Sequence, residues 1–363
     1  MHYGRGVNSF MLASTTTNIA YIILFVIVAG YVVYAMSNRK SARPELGSEI
    51  ELAPNRKQYY DDEILEGRRL ERVQFIGLLF LVVSVVGLPL YWVLEPSRLV
   101  GAKEYSVQRA EGWGEELFQP TAKGGFNCAG CHGGMTATGG VAAYAITDPK
   151  TNEVKAVSWR APALNAVFYR YSEDEVRFIL NYGRPFSPMS PWGLAGGGPM
   201  NSQQIDNLIA YLKSIQLPRS GCAANEPDDR VCATGTLEAA QQQAITDSAN
   251  KLVADGTYKS YGEALFNLDT NSGAYSCARC HTQGWSYGDP GQAGQGGLGP
   301  NLTGGASNAH FPSEADQIDF VKKGSELGKK YGLQGQGSGR MPGFGKMLTD
   351  EQIKAIIEYV RSL

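Results

Sequence analysis

Two five-residue segments, Cys128-Ala129-Gly130-Cys131-His132 and Cys277-Ala278-Arg279-Cys280-His281, take up four of the six cysteines and two of the four histidines in this 363-residue chain. No other feature constrains the fold as tightly. In a C-x-x-C-H turn the two thiols can add to the vinyl groups of a porphyrin, and the adjacent imidazole then ligates the iron. A Cys₄ zinc site is the alternative, but it leaves both histidines unexplained. Thioredoxin-like dithiols are another, but they need a βαβ setting that the sequence lacks. Two covalent haem c groups are the expectation.

Each turn sits inside a repeated series of features. Gly114-Glu115-Glu116-Leu117-Phe118 recurs as Gly262-Glu263-Ala264-Leu265-Phe266, each ending a short helical stretch ahead of its turn. Downstream, Pro162-Ala163-Leu164 recurs as Pro300-Asn301-Leu302. Ser172-Glu173-Asp174-Glu175 and Ser313-Glu314-Ala315-Asp316 both open like capped helices, a Ser followed three residues on by an acid. Gln204-Ile205 through Leu212 and Gln352-Ile353 through Val360 close the two units as helices with apolar residues at three- and four-residue spacing.

Residues Ile19–Met36 and Val73–Leu94 are two apolar runs without a charge. As helices they measure about 27 and 33 Å, close to the thickness of a hydrocarbon core. The first is too long, and too poor in flanking basic residues, for a cleaved signal peptide. Between them stand Arg39, Lys40, Arg43, Arg56, Lys57, Arg68, Arg69 and Arg72, against one basic residue in the N-terminal tail. The positive-inside rule places this loop in the cytoplasm and the haem turns outside. The order expected is an external tail (1–18), a transmembrane helix (19–36), a cytoplasmic loop (37–72) and a second transmembrane helix (73–94). Neither run holds a His or a charged residue, so this hairpin is expected to anchor rather than to carry protons or a haem b. Lys and Arg total 33 against 35 Asp and Glu, a net charge of −2 that offers nothing to nucleic acid.

Cys222 and Cys232 bracket a polar, turn-rich segment. In an oxidising compartment such a pair reads as a disulfide closing a surface loop, with two free thiols as the alternative.

The repeated series resembles class I cytochrome c, twice over, across 105–216 and 245–363, with 217–244 as a linker. The resemblance implies that the carbonyls of Pro162 and Pro300 orient His132 and His281. The first domain departs from the pattern: 30 positions separate His132 from Pro162, against 19 from His281 to Pro300. The surplus at Thr138–Lys155 is expected to be a strand-like insertion. Met189 and Met341, in Pro- and Gly-rich loops, are the expected sixth ligands of the two irons. Met200 and Met347 adjoin the closing helices, where core filling is the ordinary role; Met200 is the main competitor for the first iron. His310 is expected on a surface loop, and Trp113, Trp159, Trp192 and Trp285 are expected to pack on haem or core.

The fold class expected is mainly α: an N-terminal two-helix transmembrane hairpin followed by two tandem class I cytochrome c domains. The layout resembles the dihaem subunit of cbb-type oxidases and the dihaem cytochrome of actinobacterial bcc-type quinol reductases. That resemblance implies a bacterial cytoplasmic membrane protein with its haem domains on the extracytoplasmic side. It would pass electrons within a respiratory chain, with no catalytic residue of its own. Its partners would be haem b or copper subunits and redox proteins. A dihaem peroxidase-type enzyme and a stand-alone tethered shuttle are the alternatives.

Overall fold

The computed structural model describes residues 22, 25–26, 29–34, 36, 67–148, 151–184, 187–223, 231–268, 276–325, 330, 332–333 and 341–363. The chain divides into two units, Met1–Tyr105 and Ser106–Leu363. In the first, the described positions of the run at 19–36 are helical and mostly exposed. The second run lies in α1, Arg68–Phe118, a single helix of 51 residues. Its part Arg68–Pro96 is long and apolar enough to cross a membrane, and none of its most apolar stretch is buried. The hairpin expected of the two runs depends on residues 37–66, which lie outside the described residues.

α1 corrects the expectation of a short helical stretch ending at Phe118. Pro89 and Pro96 both lie inside it, although each removes a backbone donor and crowds the carbonyl four residues back. Side chains bridge the weakened turn: Arg98 donates to the Glu95 carboxylate at 2.6 and 2.8 Å and to Tyr91 Oη at 2.9 Å.

The first domain continues through α2 (Cys128–His132), β1 (Gly140–Thr147), β2 (Val154–Ala161), α3 (Glu173–Tyr182) and α4 (Ser202–Ser214). Ser172 and Asn201 cap α3 and α4 through reciprocal bonds with Glu175 and Gln204. A glycine sets how closely the first and last helices cross. A Cβ on Gly114 would stand 2.0 Å from the carbonyl oxygen of Asn207, and Phe118 meets Tyr211 at 5.2 Å between ring centroids. Beneath that crossing, Phe118, Met200, Ile205, Leu208, Ile209 and Leu212 are fully buried. The surplus segment is an antiparallel hairpin of β1 and β2, in register from Gly140↔Ala161 to Thr147↔Val154.

The linker folds. β3 (Arg219–Ser220) pairs with β4 (Thr236–Leu237), and a disulfide joins Cys222 to Cys232 across a Cα separation of 5.7 Å. Leu217 N–H donates to Asn165 O and Arg219 Nη2 to Phe168 O, both at 2.7 Å, which ties the strap to the first domain. Leu237 N–H donates to Lys346 O at 2.8 Å, which ties it to the second.

The second domain comprises α5 (Ala239–Ala254), α6 (Tyr261–Asn267), α7 (Ala278–His281), α8 (Ala306–His310), α9 (Glu314–Lys323) and α10 (Asp350–Arg361). The crossing recurs: a Cβ on Gly262 would stand 2.0 Å from Ala355 O, and Phe266 meets Tyr359 at 5.4 Å. α5 is an addition to the repeated plan. It buries Ile245 and Ala249, and Gln352 Nε2 reaches Gln242 O at 3.1 Å and Thr246 Oγ1 at 3.0 Å. The boundary expected at residue 245 therefore falls inside a helix. Ala166 and Tyr169 of the first domain are buried in the core cluster of the second, so apolar packing joins the two.

Candidate haem-attachment sites

α2, and α7 with its N-cap Cys277, bear the four cysteines, and the contacts of their histidines match. The Pro162 carbonyl accepts from His132 Nδ1 at 2.8 Å, and the Pro300 carbonyl accepts from His281 Nδ1 at 2.9 Å. A proton held on Nδ1 leaves Nε2 with a bare lone pair, the form in which imidazole ligates a metal. The histidine carbonyls match too, accepting from Gly139 N–H at 2.8 Å and from Gly296 N–H at 2.9 Å. Gly299 lies against the imidazole itself, since a Cβ there would come within 2.7 Å of the His281 ring. Burial lowers the proton affinity of both imidazoles; at His132 the Arg279 guanidinium lowers it further, against the Pro162 carbonyl.

The four cysteines of the turns are half-buried and not joined to one another. Burial pushes the thiols of Cys128 and Cys277 up to about 12. A dithiol built for redox exchange has the opposite shift. Together with the oriented imidazoles, this donor set fits two thioether links and one axial nitrogen per turn.

The methionine loops also correspond. α3 ends at Gly183 and α9 at Gly324, with φ of 69° and 77°. The next residue then reaches the methionine backbone: Arg184 N–H donates to Met189 O at 2.8 Å and Ser325 N–H to Met341 O at 2.9 Å. A serine oxygen accepts each methionine N–H at 3.3 Å, from Ser187 and from Ser325. The glycines are needed there, because a Cβ would strike the methionine carbonyl at 2.5 Å in the first loop and 2.6 Å in the second. Both methionine side chains are partly buried against their own domain's core. Met200 and Met347 are fully buried core residues. This glycine clamp was missed in the sequence, where Tyr182-Gly183-Arg184 and Lys323-Gly324-Ser325 were its signal.

Other expectations need correction. His310 ends α8 instead of lying on a surface loop, half-buried with its ring edge-on to Phe311 at 4.6 Å. Trp113 is 44% exposed beneath the Arg109 guanidinium, so it does not fill the protein core. Trp192 meets Phe126 at 5.8 Å within the first domain. Trp285 is buried in the second domain's core, as expected, and lies under Arg160 and Arg279; Trp159 instead faces the second domain, where it meets Tyr287 at 5.8 Å.

A family model for cytochrome c matches residues 113–216 and, a second time, residues 260–363. Comparison with curated proteins and with solved structures gives no significant match.

Proposed function

Since the chain belongs to the cytochrome c family, as two tandem domains that each carry a covalently bound haem c, we propose that it is a membrane-anchored electron carrier of a bacterial respiratory chain. It serves as a subunit of a quinol:cytochrome c reductase or of a terminal oxidase. Bound haem c supplies a one-electron couple at iron, tuned by its axial ligands and their surroundings. Cys128 and Cys131 hold the first porphyrin, and Cys277 and Cys280 the second. His132 and His281, oriented by Pro162 and Pro300, would each supply a nitrogen donor to iron. Met189 and Met341 would each supply a thioether donor.

The matched clamp on the two methionine carbonyls carries this reading. It gives two methionines in unlike sequence surroundings the same backbone contact, as expected if both deliver the same atom to the same place. A neutral thioether favours ferrous iron and keeps the sixth position filled, which suits electron transfer and leaves no room for a peroxide substrate. The apolar stretch of α1 supports the anchor. The basic residues of 37–72 favour a cytoplasmic loop, with the haem domains outside.

Mild detergent extraction of membranes tests the whole reading. The chain should co-purify with haem b or copper subunits, keep two haems through acid–acetone treatment, and bind no carbon monoxide when reduced. Recovery as a monomer would make it a stand-alone shuttle. Carbon monoxide binding to the unmodified protein would turn the reading toward a peroxidase-type enzyme.

A further inference from the structure

Arg279 is an intervening residue of the second C-x-x-C-H turn, where the motif itself asks nothing of it. It is only 8% exposed. Its Nη1 donates across the domain boundary to Arg160 O. Arg160 is the penultimate residue of β2, two residues before Pro162, whose carbonyl orients His132. Arg279 and Arg160 also converge on one indole, with guanidinium carbons 5.1 and 5.0 Å from the Trp285 ring centroid. One cation thus touches both the second attachment turn and the backbone that positions the first proximal histidine.

Packing alone does not account for this choice. Burying a cation is costly unless it is compensated, and a second guanidinium on the same ring adds like-charge repulsion. What the arrangement supplies is a fixed positive charge in a place of low dielectric, where its field is weakly screened. The bond to Arg160 O sets that charge two residues along the backbone from the Pro162 carbonyl that orients His132. A fixed positive charge so placed opposes the extra positive charge of ferric iron at this imidazole.

We propose that Arg279, although part of the second domain's attachment turn, is a positioning charge for the first haem and raises its reduction potential. This rests on the His132 and His281 ligation proposed above. In the full chain carrying Met341→Ala, saturating carbon monoxide should hold the second haem ferrous, so the remaining potentiometric wave belongs to the first. In that background Arg279→Gln should shift the first haem's equilibrium toward the oxidised form by roughly tenfold, ~59 mV for one electron. Arg279→Lys, which keeps the charge and loses the planar fork, should recover most of that shift. If Arg279→Gln fails to load haem, Arg160→Gln is the second variant. It removes the neighbouring charge, leaves the accepting carbonyl in place, and should shift the same wave the same way by less.

No shift in the neutral variant overturns the proposal. So does an equal shift in Arg279→Gln and Arg279→Lys, which would mark lost packing rather than lost charge. If Met341→Ala binds no carbon monoxide, the ligation reading has failed, and the comparison moves to the otherwise unmodified chain. There both waves should fall in Arg279→Gln and recover in Arg279→Lys, and a first wave that stays put again overturns the proposal.

Discussion

The two haem domains agree wherever they handle the haem and differ wherever they handle each other. His132 and His281 have the same proline partner, Gly183 and Gly324 the same methionine contact, and Gly114 and Gly262 the same helix crossing. Between histidine and proline they part company. The first domain spends 30 positions there and builds the β1–β2 hairpin; the second spends 19 on a series of tight turns that includes Trp285–Tyr287. Those two unlike segments meet, through Trp159 on Tyr287 and Arg160 on Trp285, and Ala166 and Tyr169 extend the seam from beyond Pro162. A duplicated unit must keep its cofactor geometry, but a tandem pair needs faces that are complementary, not identical. The repeat therefore varies where an interface has to be made.

The largest test of the comparison lies at the methionines. Met341→Ala should open the second haem to carbon monoxide and leave the first closed, and Met189→Ala should do the reverse, read as the shift of the reduced Soret band. Met200→Ala and Met347→Ala should open neither, while costing about 2–5 kcal/mol of domain stability through the cavity each leaves. If Met200→Ala opens the first haem and Met189→Ala does not, the first loop is not the equivalent of the second.

Next in size are the crossing glycines. A Cβ at Gly114 or Gly262 would stand 2.0 Å from a backbone carbonyl, where no flexible side chain can give way. Gly114→Ala and Gly262→Ala should each cost about 3 kcal/mol in chemical denaturation. Similar losses would sharpen the equivalence of the two crossings; a loss confined to one would break it.

The smallest expected effect separates the capped helices. Ser172 exchanges bonds with Glu175 in both directions, at 3.3 and 2.7 Å, whereas Ser313 has the single cap bond from Asp316 N–H at 3.3 Å. Ser172→Ala should lower stability by about 1 kcal/mol and Ser313→Ala by about half of that. Equal midpoints in denaturant would show that the reciprocal bond adds nothing.

What could be read from sequence was local chemistry with fixed spacing. The C-x-x-C-H turns were legible because two thiols and an imidazole on one short turn form a compact, recognisable donor set. Ser172 and Ser313 were legible because a cap acts within three residues of itself, and the hairpin announced itself as length that one repeat had and the other lacked. Three things were hidden. α1 runs on through Pro89 and Pro96, and around Pro96 the Arg98 side chain ties Tyr91 and Glu95 together within the helix itself, which the break signal of a proline does not announce. α5 begins after Glu238 with no side-chain cap bond to announce it. Arg279 fills a position on which the motif imposes no demand, so its contact with Arg160 could come only from the packing of one domain on the other.

The strap of β3, β4 and the Cys222–Cys232 disulfide bears on timing. Domains on a loose tether find each other by random search, and the rate of that search falls as the solvent thickens. Here the tether is itself fastened, to Asn165 and Phe168 on one side and to Lys346 on the other. The search has been completed at folding. Electron exchange between the two irons should therefore proceed at one speed in water and in glycerol, leaving viscosity to act only on encounters with outside partners.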